Sequence, residues 1–165
     1  MERDELRAIQ APLKQQYRNN PDAALVTLRA EGVLGQNVSC TISSHEKLVE
    51  SGLHPATGGS GQLACSGDLL LQALVACAGV TLSAVATSLG LPVQAGTIVA
   101  EGDLDFRGTL GVSKEVPVGF KKIRLEFRLD ADLTNEQQSK LLELTERYCV
   151  VYQTLLRGAE VTMTL

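Results

Sequence analysis

The sequence predicts an α+β fold. Helical and strand patterns follow one another as helix, two or three strands, long helix, two strands, helix and strand, without the strict alternation of parallel βαβ units. Two stretches carry most of this prediction: an uncharged apolar run over residues 69–93 and a strictly alternating run over residues 123–130. With 165 residues, 44% of them hydrophobic, the chain is long enough to bury a core of ordinary size.

The first element is an amphipathic helix. Its apolar positions, spaced by three and four residues, are Leu6, Ile9, Leu13 and Tyr17. The Asn-Asn-Pro-Asp sequence of residues 19–22 ends it. We therefore predict an N-terminal helical extension over residues 1–22, followed by a single domain over residues 23–165.

Two short alternating stretches follow this helix. Apolar and polar residues alternate over residues 26–31 and again over residues 38–43, and Gly32 and Gly35 lie between the two runs. This pattern predicts two strands joined as a hairpin. Cys40 falls in the apolar phase of the second strand, so we expect a structural cysteine buried in the sheet.

The uncharged run predicts a long helix that begins near Ser66, where Ser66 or Asp68 can cap it, and ends at Gly90. A helix that is apolar nearly all round either spans a membrane or is buried in protein. Polar residues interrupt this one and no basic residue flanks it closely, which favours burial. Because a small domain rarely covers a whole helix, we expect a homodimer whose partner subunit completes the burial.

The C-terminal half begins with a strand that ends near Asp105 and a loop over residues 106–120. The alternation over residues 123–130 predicts a half-buried strand. Thr134 and Gln137 then form a capping box that begins a helix. Its inward residues are predicted to be Leu141, Leu144 and Tyr148. Beyond the break at Gly158, the alternation of Val161, Met163 and Leu165 predicts a final edge strand.

The net charge, the charged N-terminus and the cysteine content argue against several functional classes. The net charge is -4 without a basic cluster, which argues against nucleic-acid binding. The charged N-terminal residues 1–5 leave no room for an apolar signal core. We therefore expect a cytoplasmic protein whose four cysteines are reduced.

The sequence gives little support for a metal site or for the active site of a hydrolase. No Cys and His residues share the short spacing of zinc sites, and His45 and His54 are expected to be solvated. A Gly-x-Ser-x-Gly nucleophile elbow is absent. Thiol chemistry remains, with Cys77 among small residues of the long helix and Cys149 near the end of the capped helix. Each can equally be an inert buried cysteine, and the role of Cys65 stays open.

Four segments together resemble the OsmC/Ohr superfamily of osmotically inducible and organic-hydroperoxide-resistance proteins, in its OsmC-like branch. The first combines Gly58-Gly59-Ser60-Gly61 with the Ser66-Gly67-Asp68 turn that leads to Cys77. The others are Glu146-Arg147-Tyr148-Cys149-Val150-Val151, Gly102-Asp103-Leu104-Asp105-Phe106-Arg107-Gly108 and Gly119-Phe120-Lys121-Lys122-Ile123. Each motif is weak alone, but their common order is not expected by chance.

The resemblance implies an intertwined homodimer with antiparallel sheets around a long, central, buried helix. It also implies a thiol-dependent peroxidase for organic hydroperoxides, without a cofactor or metal. By position, Cys77 would be the peroxidatic thiol and Cys149 the resolving thiol. Asp68 would stand where the family often has a glutamate, and Arg29 is the candidate for the arginine that stabilises the thiolate. An external dithiol, either a small molecule or a lipoyl- or thioredoxin-like protein, would restore the thiols. Nucleic acid and membrane are not expected as partners.

The sequence also departs from the family pattern. Val150 follows the second cysteine where the family commonly has proline, and Asp68 is one methylene shorter than the usual glutamate. Arg29 precedes the first turn instead of lying at its tip, so it can equally be an exposed strand residue. The alternative is therefore a non-catalytic module of the same fold that binds small molecules and keeps its cysteines as structural residues.

Overall fold

The computed structural model describes residues 3–35, 39–42 and 52–165. Its elements are α1 (Arg3–Asn19), β1 (Leu25–Gly35), β2 (Ser39–Ile42), α2 (Ser66–Ser88), β3 (Gly96–Asp105), α3 (Phe106–Thr109), β4 (Lys122–Leu129), α4 (Asn135–Tyr148) and α5 (Val150–Arg157). Two single 3₁₀ turns lie at Pro21–Ala24 and Pro55–Thr57. The predicted combination of helices with an antiparallel sheet is confirmed.

The four strands form one sheet in the order β2-β1-β3-β4. The predicted hairpin is present: β1 and β2 pair antiparallel with Leu34 opposite Cys40. β3 and β4 also run antiparallel, because the Lys121 N–H bonds the Asp103 carbonyl while the Asp130 N–H bonds the carbonyl of Ala95. The predicted alternation of β4 is present, since its apolar residues are partly buried and its charged residues are mostly exposed.

Contacts divide the chain into two compact units. The first comprises the described parts of residues 1–30, 44–71 and 100–124, and the second those of residues 31–43, 72–99 and 125–165. The strands β1, β3 and β4 and the helix α2 contribute residues to both units. The predicted boundary at residue 22 stays a prediction.

Within the first unit, α1 packs against α3 and both 3₁₀ turns. Tyr17 anchors this contact: it is 3% exposed, and its hydroxyl donates a 2.5 Å hydrogen bond to the carbonyl of Ala56. Burial raises the pKa of Tyr17. The amphipathic pattern of the sequence therefore has an apolar partner in this unit, which is the condition for a short surface helix to be stable.

α2 is long and apolar enough to cross a membrane by length and composition, with a mean hydropathy of 2.1, and half of that stretch is buried inside the protein. Its buried residues in the second unit include Leu74, Val75, Ala78 and Leu82. Core helices of soluble proteins show the same composition. The predicted dimer, which would cover the remaining face, stays a prediction.

The capping box of α4 is confirmed. The Thr134 hydroxyl accepts from the Gln137 N–H at 3.2 Å, and the Gln137 side chain accepts from the Thr134 N–H at 2.9 Å. Leu141 is buried as predicted, but Tyr148 is 56% exposed, so the prediction of an inward Tyr148 is wrong. Tyr148 is the last residue of α4, and its exposed ring does not pack on the apolar face of the helix.

Two further expectations need correction. The loop predicted over residues 106–120 begins with the short helix α3, which the Asp105 side chain caps. The predicted final strand is wrong: residues 158–165 form no regular structure, and Val161 and Met163 are 81% and 95% exposed. An alternating pattern forms a strand only where another strand is available to pair with it, and no such pairing forms here.

Candidate functional site

Cys77 lies in the middle of α2 and is half-buried. Its neighbours along the chain, Ala76 and Ala78, are small. Thr81 follows one helical turn later, and its hydroxyl is close enough to lower the pKa of the Cys77 thiol. The spacing of four residues places both side chains on the same face of the helix.

Cys149 lies between two helices of the second unit. It ends α4, where its N–H bonds the carbonyl of Thr145, and it is the N-cap residue of α5. Its sulfur accepts a 3.5 Å hydrogen bond from the Tyr152 N–H. The residue is 1% exposed. A cysteine here replaces the oxygen of a usual N-cap residue with a thiol.

The structure brings these two thiols together. The Cys77 thiol lies close enough to the Cys149 side chain and to the backbone N–H groups of Val150 and Val151 for these groups to lower its pKa. These N–H groups belong to the first turn of α5, where they have no partner within the helix and where the helix dipole favours negative charge. Cys77 therefore lies at the positive end of α5.

The two thiols differ in acidity for this reason. Burial raises the pKa of the Cys77 thiol, but the hydrogen bonds from Val151, Cys149, Thr81 and Val150 outweigh burial and lower the pKa below its ordinary value. Burial, together with the neighbouring Cys77, raises the pKa of Cys149 to about 11. The arrangement favours a thiolate at Cys77 and a thiol, able to donate a hydrogen bond, at Cys149.

An apolar cavity of about 320 Å³ adjoins Cys149. Leu125 and Phe127 of β4, Leu142 of α4 and Tyr152 of α5 line it, with the acidic residues Glu126 and Glu146 on its wall. Leu125 and Phe127 are here because the alternation of β4 directs them to one face of the sheet. A small organic molecule can occupy this space beside Cys149.

The other site residues that the sequence suggested have different surroundings. Asp68 lies in the first turn of α2, where burial raises its pKa and the nearby His54 lowers it. Arg29 lies in β1 and Cys40 in β2, but their side chains fall outside the described residues. The roles assigned to Asp68 and Arg29, and the burial of Cys40, therefore stay predictions. His45 also lies outside the described residues.

Three structural features around Cys77 and His54 were not predicted from the sequence. The stacking of the half-buried His54 ring on Phe106, with the centroids 4.8 Å apart, was not predicted. The role of the α5 N–H groups carries no sequence signal, since any residue supplies a backbone N–H. Thr81 was detectable from its spacing of four residues from Cys77. Within the part of the chain that the structure describes, no group of three or more His, Cys, Asp or Glu residues is placed to hold a metal.

Two neighbouring thiols at a helix N-terminus are an arrangement in which the helix can lower the pKa of one thiol. The family model described as OsmC-like protein matches residues 59–164, which is more than half of the chain. The chain therefore belongs to the OsmC-like family. The matched residues include Asp68, Cys77 and Cys149, whereas Arg29 lies before them.

Among solved structures, the chain is similar to an OsmC-like hydroperoxide resistance protein from Jannaschia sp. CCS1. The two share 17% sequence identity with a TM-score of 0.59, and the match covers 85% of this chain and 91% of that chain. At this identity the similarity shows a common fold. No curated protein matches the chain.

Proposed function

We propose that this protein is a thiol-dependent peroxidase that reduces organic hydroperoxides, with Cys77 as the attacking thiol and Cys149 as the resolving thiol. The observation that carries the proposal is the proximity of these two thiols at the N-terminus of α5, where Cys149 is the N-cap residue and the first N–H groups lower the pKa of Cys77. Membership of the OsmC-like family supports it, as does the hydroperoxide resistance assigned to the structurally similar protein from Jannaschia.

In the first step, the Cys77 thiolate attacks the terminal oxygen of the hydroperoxide. A sulfur–oxygen bond forms, the oxygen–oxygen bond breaks, and its electron pair leaves on the alkoxide, which takes a proton to become an alcohol. Cys77 becomes a sulfenic acid. The N–H groups of Val150 and Val151 favour this step because they stabilise the thiolate.

In the second step, the Cys149 sulfur attacks the sulfenic sulfur of Cys77. A disulfide forms, the sulfur–oxygen bond breaks, and water leaves with the Cys149 proton. An external dithiol then reduces the disulfide to two thiols and is itself oxidised to a disulfide. The raised pKa of Cys149 suits this order, since it remains a protonated neighbour until Cys77 is oxidised.

The cavity beside Cys149 indicates the kind of substrate. Its side chains Leu125, Phe127 and Leu142 offer apolar contact to an alkyl or aryl group. Hydrogen peroxide has no such group and gains nothing from this surface. The enzyme is therefore expected to prefer organic hydroperoxides to hydrogen peroxide.

We also propose a homodimer formed through α2. Residues exposed at heptad-like spacing on this helix are Ala73, Val80, Ala84 and Thr87, with the half-buried Cys77 between the first two. Such a row of small and apolar residues is typical of a helix that packs against another helix. A second copy of α2 would cover this row.

Consumption of cumene hydroperoxide in the presence of dithiothreitol or dihydrolipoamide tests the peroxidase. Cys77→Ser is expected to abolish turnover, because a hydroxyl is far less acidic and nucleophilic than a thiol at neutral pH. Cys149→Ser is expected to complete one oxidation and stop at a sulfenic acid, which dimedone traps. The matched control is Cys65→Ser, which replaces another incompletely buried thiol and is expected to keep turnover.

Two outcomes contradict the proposal. One is an unaltered protein that consumes no organic hydroperoxide with any dithiol, and the other is a Cys77→Ser variant as active as the unaltered protein. In either case the non-catalytic binding module replaces the peroxidase.

A further inference from the structure

A second cavity, of about 390 Å³, lies in the first unit. Its apolar walls include Leu53, Leu70, Leu104, Phe106 and Phe120. Neither thiol of the proposed peroxidase lines it. A cavity with this much apolar surface can bind a small organic molecule. The polar groups of its wall then decide which kind of molecule binds.

His54 is the titratable side chain with a defined orientation on this wall. Its ring stacks on Phe106 at an interplanar angle of 15°. Its Nδ1 atom accepts a 3.0 Å hydrogen bond from the N–H of Ala56. The carbonyl of His54 accepts from the Thr57 hydroxyl at 2.9 Å and from the Gly59 N–H at 3.1 Å. Backbone and ring are therefore both held in place.

Because Nδ1 of His54 is used as an acceptor, the Nε2 atom is the ring nitrogen that can donate a hydrogen bond. Burial lowers the pKa of His54, which favours the neutral imidazole with a single proton. Because Nδ1 accepts a hydrogen bond, that proton is assigned to Nε2. No described residue forms a hydrogen bond with Nε2, and no side-chain polar atom of the described residues is both buried and without a partner. Within the described part of the chain, the Nε2–H group is therefore accessible to a ligand.

The carboxyl group of Asp68 lies near His54, although it does not line the cavity. Its carboxylate is close enough to His54 to raise the pKa of the imidazole, against the larger effect of burial. A ligand carboxylate at His54 would be repelled by this negative charge. An uncharged oxygen accepts a hydrogen bond without that repulsion.

We propose that this cavity binds a small uncharged molecule with an apolar body and one oxygen acceptor, which takes its hydrogen bond from the Nε2–H group of His54. Alcohols and ketones of about eight carbons have this chemistry. The site uses neither Cys77 nor Cys149, so it stands whether or not the protein is a peroxidase.

Nuclear magnetic resonance of the full-length protein with ¹⁵N-labelled histidine tests the site. The chain has two histidines, and His45→Gln assigns their signals. Titration with 1-octanol is expected to shift the His54 Nε2 resonance to saturation. Octanoate has the same chain with a charged head, and it is expected to bind at least about tenfold more weakly because of Asp68.

Two variants give an independent measurement. The chain contains no tryptophan, and Val118 lines the cavity at a position that is 63% exposed. Val118→Trp therefore adds a single fluorophore whose emission is expected to change with 1-octanol. In that background, His54→Phe keeps an aromatic ring against Phe106 but removes the donor, and binding is expected to weaken about tenfold.

Three results would overturn the site. The first is a His54 signal that does not move at millimolar 1-octanol. The second is octanoate binding as tight as that of 1-octanol, and the third is unchanged 1-octanol affinity in His54→Phe. If His54→Phe does not fold, the titration of the unaltered protein decides alone.

Discussion

The thiol of Cys77, in the middle of α2, lies near the thiol of Cys149, the residue that joins α4 to α5. The first N–H groups of α5 are close enough to the Cys77 sulfur to lower its pKa. One helix terminus therefore stabilises negative charge on a residue of another helix, while the buried Cys149 is held as a neutral donor. This asymmetry distinguishes the two thiols before any oxidant arrives.

The first prediction concerns the pH dependence of alkylation. Only the thiolate reacts, so the rate at each cysteine rises as the pH approaches the pKa of that thiol. Cys77, whose pKa is lowered, is expected to react with iodoacetamide at lower pH than Cys149, whose pKa is raised to about 11. Peptide mass spectrometry after short exposures between pH 6 and about pH 10 measures both rates.

A variant sharpens this measurement. Cys149→Ala removes one donor to Cys77 and leaves the α5 N–H groups in place, so the pKa of Cys77 is expected to rise. Faster labelling of Cys149 than of Cys77 in the unaltered protein, with both sites accessible, would contradict the assignment of the attacking thiol.

The second prediction concerns assembly. Val80 is 42% exposed on α2, in the row of residues proposed to meet a second copy. Val80→Glu is expected to convert a dimer into a monomer, because each new carboxylate would be buried without a partner. Sedimentation velocity at micromolar concentration measures the change. Met163→Glu is the control, since Met163 is 95% exposed outside α2. An unaltered protein that sediments as a monomer contradicts the dimer.

The third prediction concerns the buried carboxylate of Asp105. It is 1% exposed and forms hydrogen bonds with the Arg107 guanidinium, including a 2.9 Å bond from Nε. Asp105→Asn is expected to lower the free energy of unfolding by about 2 kcal/mol, because it weakens a charge-assisted pair. Urea denaturation at pH 7 measures this loss. Asp132→Asn, at an exposed position, should change stability by less than about 0.5 kcal/mol.

The same ion pair sets a dependence on acid. The hydrogen bonds from Arg107 lower the pKa of Asp105 below its ordinary value of 3.8. The unfolded chain therefore takes up this proton first as the pH falls. The stabilisation is complete above the unfolded value and is lost as the pH falls through the folded one. Asp105→Asn should be less sensitive to pH in this acid range, and an equal slope in both proteins would contradict the assignment.

The fourth prediction concerns the start of α4. Thr134→Ala removes the hydroxyl that accepts from the Gln137 N–H. The expected cost is about 1 kcal/mol of stability. Ser139→Ala is the matched control, because Ser139 is exposed inside the same helix, where alanine is the better helix former. Thermal denaturation of both variants compares the two sites, and equal stability would show that the cap contributes nothing.

The sequence by itself determined the local elements of this protein. The apolar run placed α2, the alternation over residues 123–130 placed β4, and Thr134 marked the first turn of α4. Each signal depends on neighbours along the chain: the period of side chains in a strand, or a hydroxyl three residues before the N–H that it caps. Family membership was likewise visible in short segments in the right order.

Only the tertiary structure decided how distant residues combine. The family resemblance paired Cys77 with Cys149, but only the fold brought the first N–H groups of α5 near the Cys77 sulfur. His54 had the composition of a solvated loop residue until Phe106 stacked on its ring. Residues 161–165 alternate like a strand, yet they form no pairing. In each case the outcome depends on a partner that is remote in sequence, because hydrogen bonds and burial require groups that only the folded chain brings into contact.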